Sequence, residues 1–229
     1  MKTSELVDLL KNRSVPVKLA GVGILILAAV LGLDLDEAAS DGDVEAGKEA
    51  GLIQVSGKKG EYERLSGCVL VEHRNNDGDS FFVRHQGREF ELRLYFVDTA
   101  EKYLSDRHES QRERVRDQAG DFGLTVEQTV ALGNESKNVV LELLRRTPFT
   151  VYTKWDRVYD GERFHGFVEL DSGAGSSVYL SQLLVDKGLA RIHTHGEPTP
   201  DGRGWREYKD FLRSREAAAK QKKVGAWGK

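Results

Sequence analysis

Between Cys68 and Phe96 short apolar runs alternate with tight turns, and this stretch constrains the fold more than any other. Cys68-Val69-Leu70-Val71 is an apolar run that stops at Asn75-Asn76-Asp77-Gly78, residues that tolerate the backbone a hairpin turn needs. Phe81-Phe82-Val83 resumes a strand and Gln86-Gly87-Arg88 turns again. Phe90, Leu92, Leu94 and Phe96 then alternate with Glu89, Glu91 and Arg93, the period of two expected of a half-buried strand. Three strands joined by two tight turns predict an antiparallel meander.

Residues 102–124 are polar and charged, and read as a long excursion rather than a core element. Thr125 and Gln128 form a capping-box pattern, after which Val126, Val130, Val139, Val140, Leu143 and Leu144 fall at helical spacing. Gly133-Asn134 offers a break in that helix, and Pro148 ends it. Phe149 to Trp155 and Arg163 to Leu170 read as two further strands, five in all. A short amphipathic helix from Tyr179 to Lys187 stops at Gly188, and a short extended piece runs from Leu189 to His193. A polar helix over 205–222 carries Tyr208, Phe211 and Leu212 as anchors. The expected fold is α+β: a five-stranded β-barrel of OB type with about three helices, over residues 61–229.

The first 60 residues have a different character. Lys2, Lys11, Arg13 and Lys18 precede 15 uncharged residues, Leu19 to Leu33, and Asp34, Asp36 and Glu37 follow at once. A basic flank before an apolar run predicts an N-terminus inside and the remainder exported. Residues 1–33 are therefore expected to be a hydrophobic helix for membrane targeting. Counting back to Val15 lengthens the run enough for an anchor, while Ala38-Ala39-Ser40 offers a cleavage site for a secreted product, and both alternatives stand. Residues 34–60, acidic and Gly-rich, read as a flexible linker.

The single cysteine, Cys68, excludes an intramolecular disulfide framework and a thiolate zinc cluster. Residues 61–229 hold 27 Lys and Arg against 28 Asp and Glu, so nucleic acid would be handled at a local site rather than by a basic surface. Other motifs fail on inspection. Asp77-Gly78-Asp79 is no EF-hand, because its twelfth position is Arg88, and no G-x-S-x-G elbow occurs. An H-x-H pair, His193 and His195, has no third zinc ligand nearby. The tract Arg107–Arg116, with Glu109 and Glu113 interleaved, reads as a solvated loop.

In a meander the start of the second strand and the end of the third share an edge, so Asp79, Asp98 and Glu101 can converge, with Arg93 beside them. Three carboxylates at a barrel rim are costly unless a cation neutralises them, and a hard cation suits oxygen ligands. Carboxylates, a hard metal and a guanidinium are the equipment for attacking a phosphodiester.

The ordered set Asp77-Gly78-Asp79-Ser80, then Arg93-Leu94 through Val97-Asp98-Thr99-Ala100-Glu101, then Arg163 before an apolar strand, resembles the staphylococcal-nuclease (thermonuclease) family over residues 65–229. The resemblance implies that Asp79, Asp98 and the Thr99 carbonyl hold Ca²⁺. It also implies that Glu101 is the general base and that Arg93 and Arg163 grip the scissile phosphate. Gly225-Ala226-Trp227 echoes the family's closing tryptophan. This chain departs from the family's pattern at Ala100, where the family has Pro, and at Gly161-Glu162 ahead of Arg163. Tyr159, His193 and His195 are the candidates for contacting a base. The implied activity is calcium-dependent cleavage of DNA or RNA, with no obligate protein partner and with membrane contact only through the N-terminal segment. A non-catalytic OB-fold module that binds nucleic acid or protein is the alternative.

Overall fold

The computed structural model describes residues 61–159, 161–173 and 175–229. The targeting segment and the linker expected over residues 1–60 lie outside the described residues. The described part is α+β, with a closed barrel of five strands in mixed orientation and four helices.

Strand β1 (Glu63–Leu70) pairs antiparallel with both β2 (Ser80–His85) and β5 (Phe149–Arg157). β2 turns into β3 (Arg88–Leu94), opposing Ser80 to Arg93, which is the predicted meander. β5 pairs antiparallel with β6 (Arg163–Gly173), and β6 closes the barrel by running parallel to β3, with Glu91 opposite Arg163 and Arg93 opposite His165. Outside the barrel, β7 (Ser176–Tyr179) extends β6, while β4 (Val97–Thr99) and β8 (Ala190–Ile192) form a separate two-stranded sheet.

Alternation sets the inside and outside of β3. Phe90, Leu92 and Leu94 are buried among Phe81, Val83, Val151 and Phe167, and each such burial is worth about 1.5–3 kcal/mol. The alternation was expected to continue to Phe96, but β3 ends at Leu94 because Phe96 adopts a left-handed backbone (φ 69°). That kink carries Asp98 and Thr99 off the barrel and into the β4–β8 ladder, where Asp98 faces Arg191. Phe96 itself stays inside, edge-on to Tyr208 with ring centroids 5.0 Å apart.

The helices differ from expectation in two places. Residues 102–124 are not an irregular excursion: they contain α1 (Glu109–Phe122), whose Val115, Gln118, Ala119 and Phe122 are buried. The segment that breaks the expected count of about three helices is therefore the one that looked least structured. α2 (Val126–Arg146) is a single helix, uninterrupted at Gly133-Asn134. Its predicted capping box is present in both directions, Gln128 N donating to Thr125 Oγ1 (3.2 Å) and Thr125 N to Gln128 Oε1 (2.9 Å). α3 (Leu180–Asp186) and α4 (Trp205–Gln221) match the remaining expectations, and α4 buries Tyr208 and Leu212 against the barrel. A 3₁₀ turn (Gly225–Gly228) brings Trp227 to Phe122, centroids 5.7 Å apart. No helix among the described residues is long and apolar enough to cross a membrane.

Candidate active site

Where β2 begins, Asp79 is almost wholly buried, which obliges its carboxylate to find donors. One oxygen, Oδ1, accepts from Arg93 Nη1 at 2.6 Å, and the other, Oδ2, accepts the backbone N–H of Thr99 at 2.7 Å. The second arm of the same guanidinium, Nη2, donates to Asp98 Oδ1 at 2.7 Å. Arg93 thus forks between the carboxylate just ahead of β2 and that of β4. Its position on the outer face of β3, opposite Ser80, is what lets it reach both.

Two further arginines complete the corner. Arg191, largely buried on β8, donates to Asp98 Oδ2 through Nε (2.9 Å) and Nη2 (2.8 Å) and also pairs with Asp121 of α1. Arg114 of α1 links Asp98 Oδ1 to Glu101 Oε1, both at 3.1 Å. Its side chain is 46% exposed, so it is the loosest member of the set. The costly gathering of carboxylates is therefore neutralised by guanidinium groups of the chain itself. Burial works to raise the pKa of Asp98, but Arg93, Gln118, Arg114 and Arg191 together hold it well below the usual carboxylate range. Burial likewise works against the charge on Arg93, and Asp79 and Asp98 outweigh it. At the rim, burial and the neighbouring Asp79 push Asp77 up to about 6, with Lys102 3.5 Å away.

The corner opens into a cleft of about 940 Å³ lined by Arg93, Arg114, Arg116 and Arg191 together with Arg157, Tyr159, His165, His193 and His195. His165 lies flat against Tyr95 (centroids 5.1 Å, interplanar angle 16°), and its Nδ1 has no hydrogen-bond partner. Burial, then His195 and Arg93, lower its pKa to about 4, so the ring is neutral at neutral pH.

No protein-family model matches this chain, and no curated protein matches it either. The site has to be read from its own geometry.

Of the expected residues, Asp79, Arg93, Asp98, Thr99 and Glu101 come together in the corner. Tyr159, His193 and His195 line the cleft wall, Tyr159 being 86% exposed with a left-handed backbone (φ 59°). Arg163 stands apart from the carboxylates: its ion contact is Glu91 at 3.8 Å. It lies on the same outer face as Arg93, close enough for both to act on His165. Arg114, Gln118, His165 and Arg191 were missed. Arg107–Arg116, read as a solvated loop, delivers Arg114 and Arg116 to the cleft from the exposed side of α1, whose buried face is Val115, Gln118, Ala119 and Phe122. An arginine inside the short apolar stretch Leu189–Ile192, and a histidine between Phe164 and Phe167, were the available signals, since unpaired charge is seldom buried.

The oxygen set fits a hard cation in kind. Asp79 and Asp98 each turn Oδ1 onto one shared cation, Arg93, and the Thr99 carbonyl lies beside them, accepting from Gln118 Nε2. All the candidate ligand atoms are oxygens, the kind Ca²⁺ prefers. No three His, Cys, Asp or Glu side chains gather as a metal cluster among the described residues. The expected set contains only two such side chains, the third ligand being a main-chain carbonyl.

Proposed function

We propose that this domain is an OB-type barrel of the staphylococcal-nuclease kind and that it hydrolyses phosphodiester bonds of DNA or RNA in a calcium-dependent reaction. The observation that carries the reading is the Arg93 fork: one guanidinium spans Asp79 and Asp98, with Glu101 joined to the same group through Arg114, at the floor of a cleft walled by guanidiniums. Asp79, Asp98 and the Thr99 carbonyl would hold Ca²⁺. Bound there, the ion would polarise the phosphoryl oxygen and neutralise charge in the transition state.

The protein's own groups have separable tasks. A substrate phosphate offers Arg93 and Arg114 new acceptors in place of the carboxylates, and a planar fork matches two phosphate oxygens. Arg163, on the same outer face of β6, would join them at the phosphate only by leaving Glu91. As Arg114 turns to the phosphate, Glu101 Oε1 loses its guanidinium partner and becomes free to accept a proton from the attacking water. Such general-base help is worth about 10²–10⁴ in rate. The neutral ring of His165 and the rings of His193, His195 and Tyr159 offer faces for unstacked bases. The N-terminal run is read as the export signal that places the domain outside the cytoplasm, anchored or, once cleaved, secreted.

The test is cleavage of single-stranded and duplex DNA by the purified chain with Ca²⁺ and with chelator. One observation favours a second reading, a barrel that binds nucleic acid or protein without cutting. Every proposed ligand oxygen already accepts an N–H, so an ion must compete with Arg93 and Gln118 for its site. Binding of single-stranded DNA without cleavage under any divalent ion would establish that alternative.

A further inference from the structure

We infer that Gln118, on α1, is a positioning residue that fixes the offset between Asp98 and Glu101, an inference that rests on the nuclease reading above. Its side chain is fully buried, and its amide is used at both ends. Oε1 accepts the backbone N–H of Glu101 at 2.9 Å, while Nε2 donates to Asp98 Oδ2 and to the Thr99 carbonyl, each at 2.9 Å. The reversed amide would set oxygen against a carboxylate and a carbonyl and nitrogen against an N–H, so the three contacts admit one orientation.

The same segment is held from the other side by α2. A Cβ on Gly133 would lie 2.4 Å from the Glu101 carbonyl oxygen and 2.5 Å from that of Ala100, so only glycine permits this approach. One residue on, Asn134 Nδ2 donates to the Lys102 carbonyl at 2.8 Å. Residues 99–102 are thus clamped between two helices, and the Glu101 side chain leaves a backbone that cannot drift. This explains an uninterrupted α2 that nevertheless carries Gly-Asn in its middle. A base must sit within hydrogen-bond reach of the water it activates, and misplacement by about 1 Å costs about 10² in rate.

A glutamine that merely stitched helix to loop would affect stability alone, so the test separates the two effects. Turnover and KM on single-stranded DNA with Ca²⁺, the urea midpoint, and hydrogen exchange of the Glu101 amide without Ca²⁺ are measured on the full chain. The variants are Gln118→Met, Gln118→Glu and, as a structural control, Ser136→Ala, which removes a buried hydroxyl bonded to the Leu189 carbonyl at 2.8 Å. Gln118→Met is expected to lower kcat about 100-fold with KM within about twofold, and to speed exchange at Glu101. Gln118→Glu keeps the acceptor for Glu101 N–H but turns an oxygen onto Asp98, so kcat falls while exchange stays slow. Ser136→Ala lowers the urea midpoint and keeps kcat. Wild-type kcat in both Gln118 variants, or an equal loss in the control, overturns the inference. If the wild type cuts nothing, the nuclease reading falls and exchange alone decides: unchanged protection of Glu101 in Gln118→Met overturns the positioning contact, and faster exchange upholds it.

Discussion

The carboxylate corner and the aromatic lining of the cleft are built on opposite principles. In the carboxylate corner, Asp79, Asp98, Gln118 and Arg191 are buried, Arg93 is partly so, and every charge is paired, often twice. In the aromatic lining, Tyr159 stands 86% exposed, the His195 ring meets Glu197 at 3.2 Å, and His165 keeps an unpartnered nitrogen. Paired burial fixes geometry, which chemistry at a phosphorus centre needs. Loose aromatic faces tolerate different ligands, which a base-indifferent wall needs. A fully buried charge deleted from the corner should therefore harm both fold and rate, whereas changes in the wall should have smaller effects on both.

The largest break comes from Asp98→Ala, which strips acceptors from Arg93, Arg114 and Arg191 together. Each keeps one other carboxylate, Asp79, Glu101 or Asp121, but breaking the buried pairs of Arg93 and Arg191 with Asp98 costs about 3–5 kcal/mol, read as a drop in unfolding free energy in urea, and activity is lost. Glu101→Gln tests the corner without dismantling it. A fall of about 10²–10⁴ in kcat with the urea midpoint little changed is expected, and an unchanged rate would remove the role assigned to Glu101. In Arg93→Lys an ammonium cannot fork between Asp79 and Asp98, so about 10²-fold in rate is lost. Full activity in that variant would break the proposed site.

The wall yields smaller effects. His165 is held neutral in the fold, with a pKa of about 4 against 6.5 for the unfolded chain. The unfolded state therefore binds the extra proton first, and stability falls as pH drops from about 6.5 toward about 4. A melting temperature that falls from pH 7 to pH 5, and falls less in His165→Phe, is the expected result. Tyr159→Ala should leave stability within about 0.5 kcal/mol and raise KM about fivefold, the equivalent of about 1 kcal/mol of stacking.

The same contrast explains what could be read from the sequence. The meander, the capping box and the convergence of Asp79, Arg93 and Asp98 were legible because each depends on local periodicity and a known turn. The left-handed turn at Phe96 was not, since a bulky residue seldom adopts it and only the surrounding core over-determines it. α1 was invisible for a related reason. Only Val115, Ala119 and Phe122 are apolar among its buried residues, and its fourth, Gln118, is anchored by polar contacts to a loop. Arg191 emerged only with the β4–β8 pairing, a contact 93 residues apart in the chain. The corner needs positive charge, and arginines from three elements supply it.

The most direct test of the account is cleavage of single-stranded DNA by the full chain, with Ca²⁺ and with chelator, alongside Glu101→Gln. Calcium-dependent cutting that disappears in the variant is predicted. A well-folded protein that binds DNA but cuts it under no divalent ion would contradict the nuclease reading and leave a binding barrel in its place.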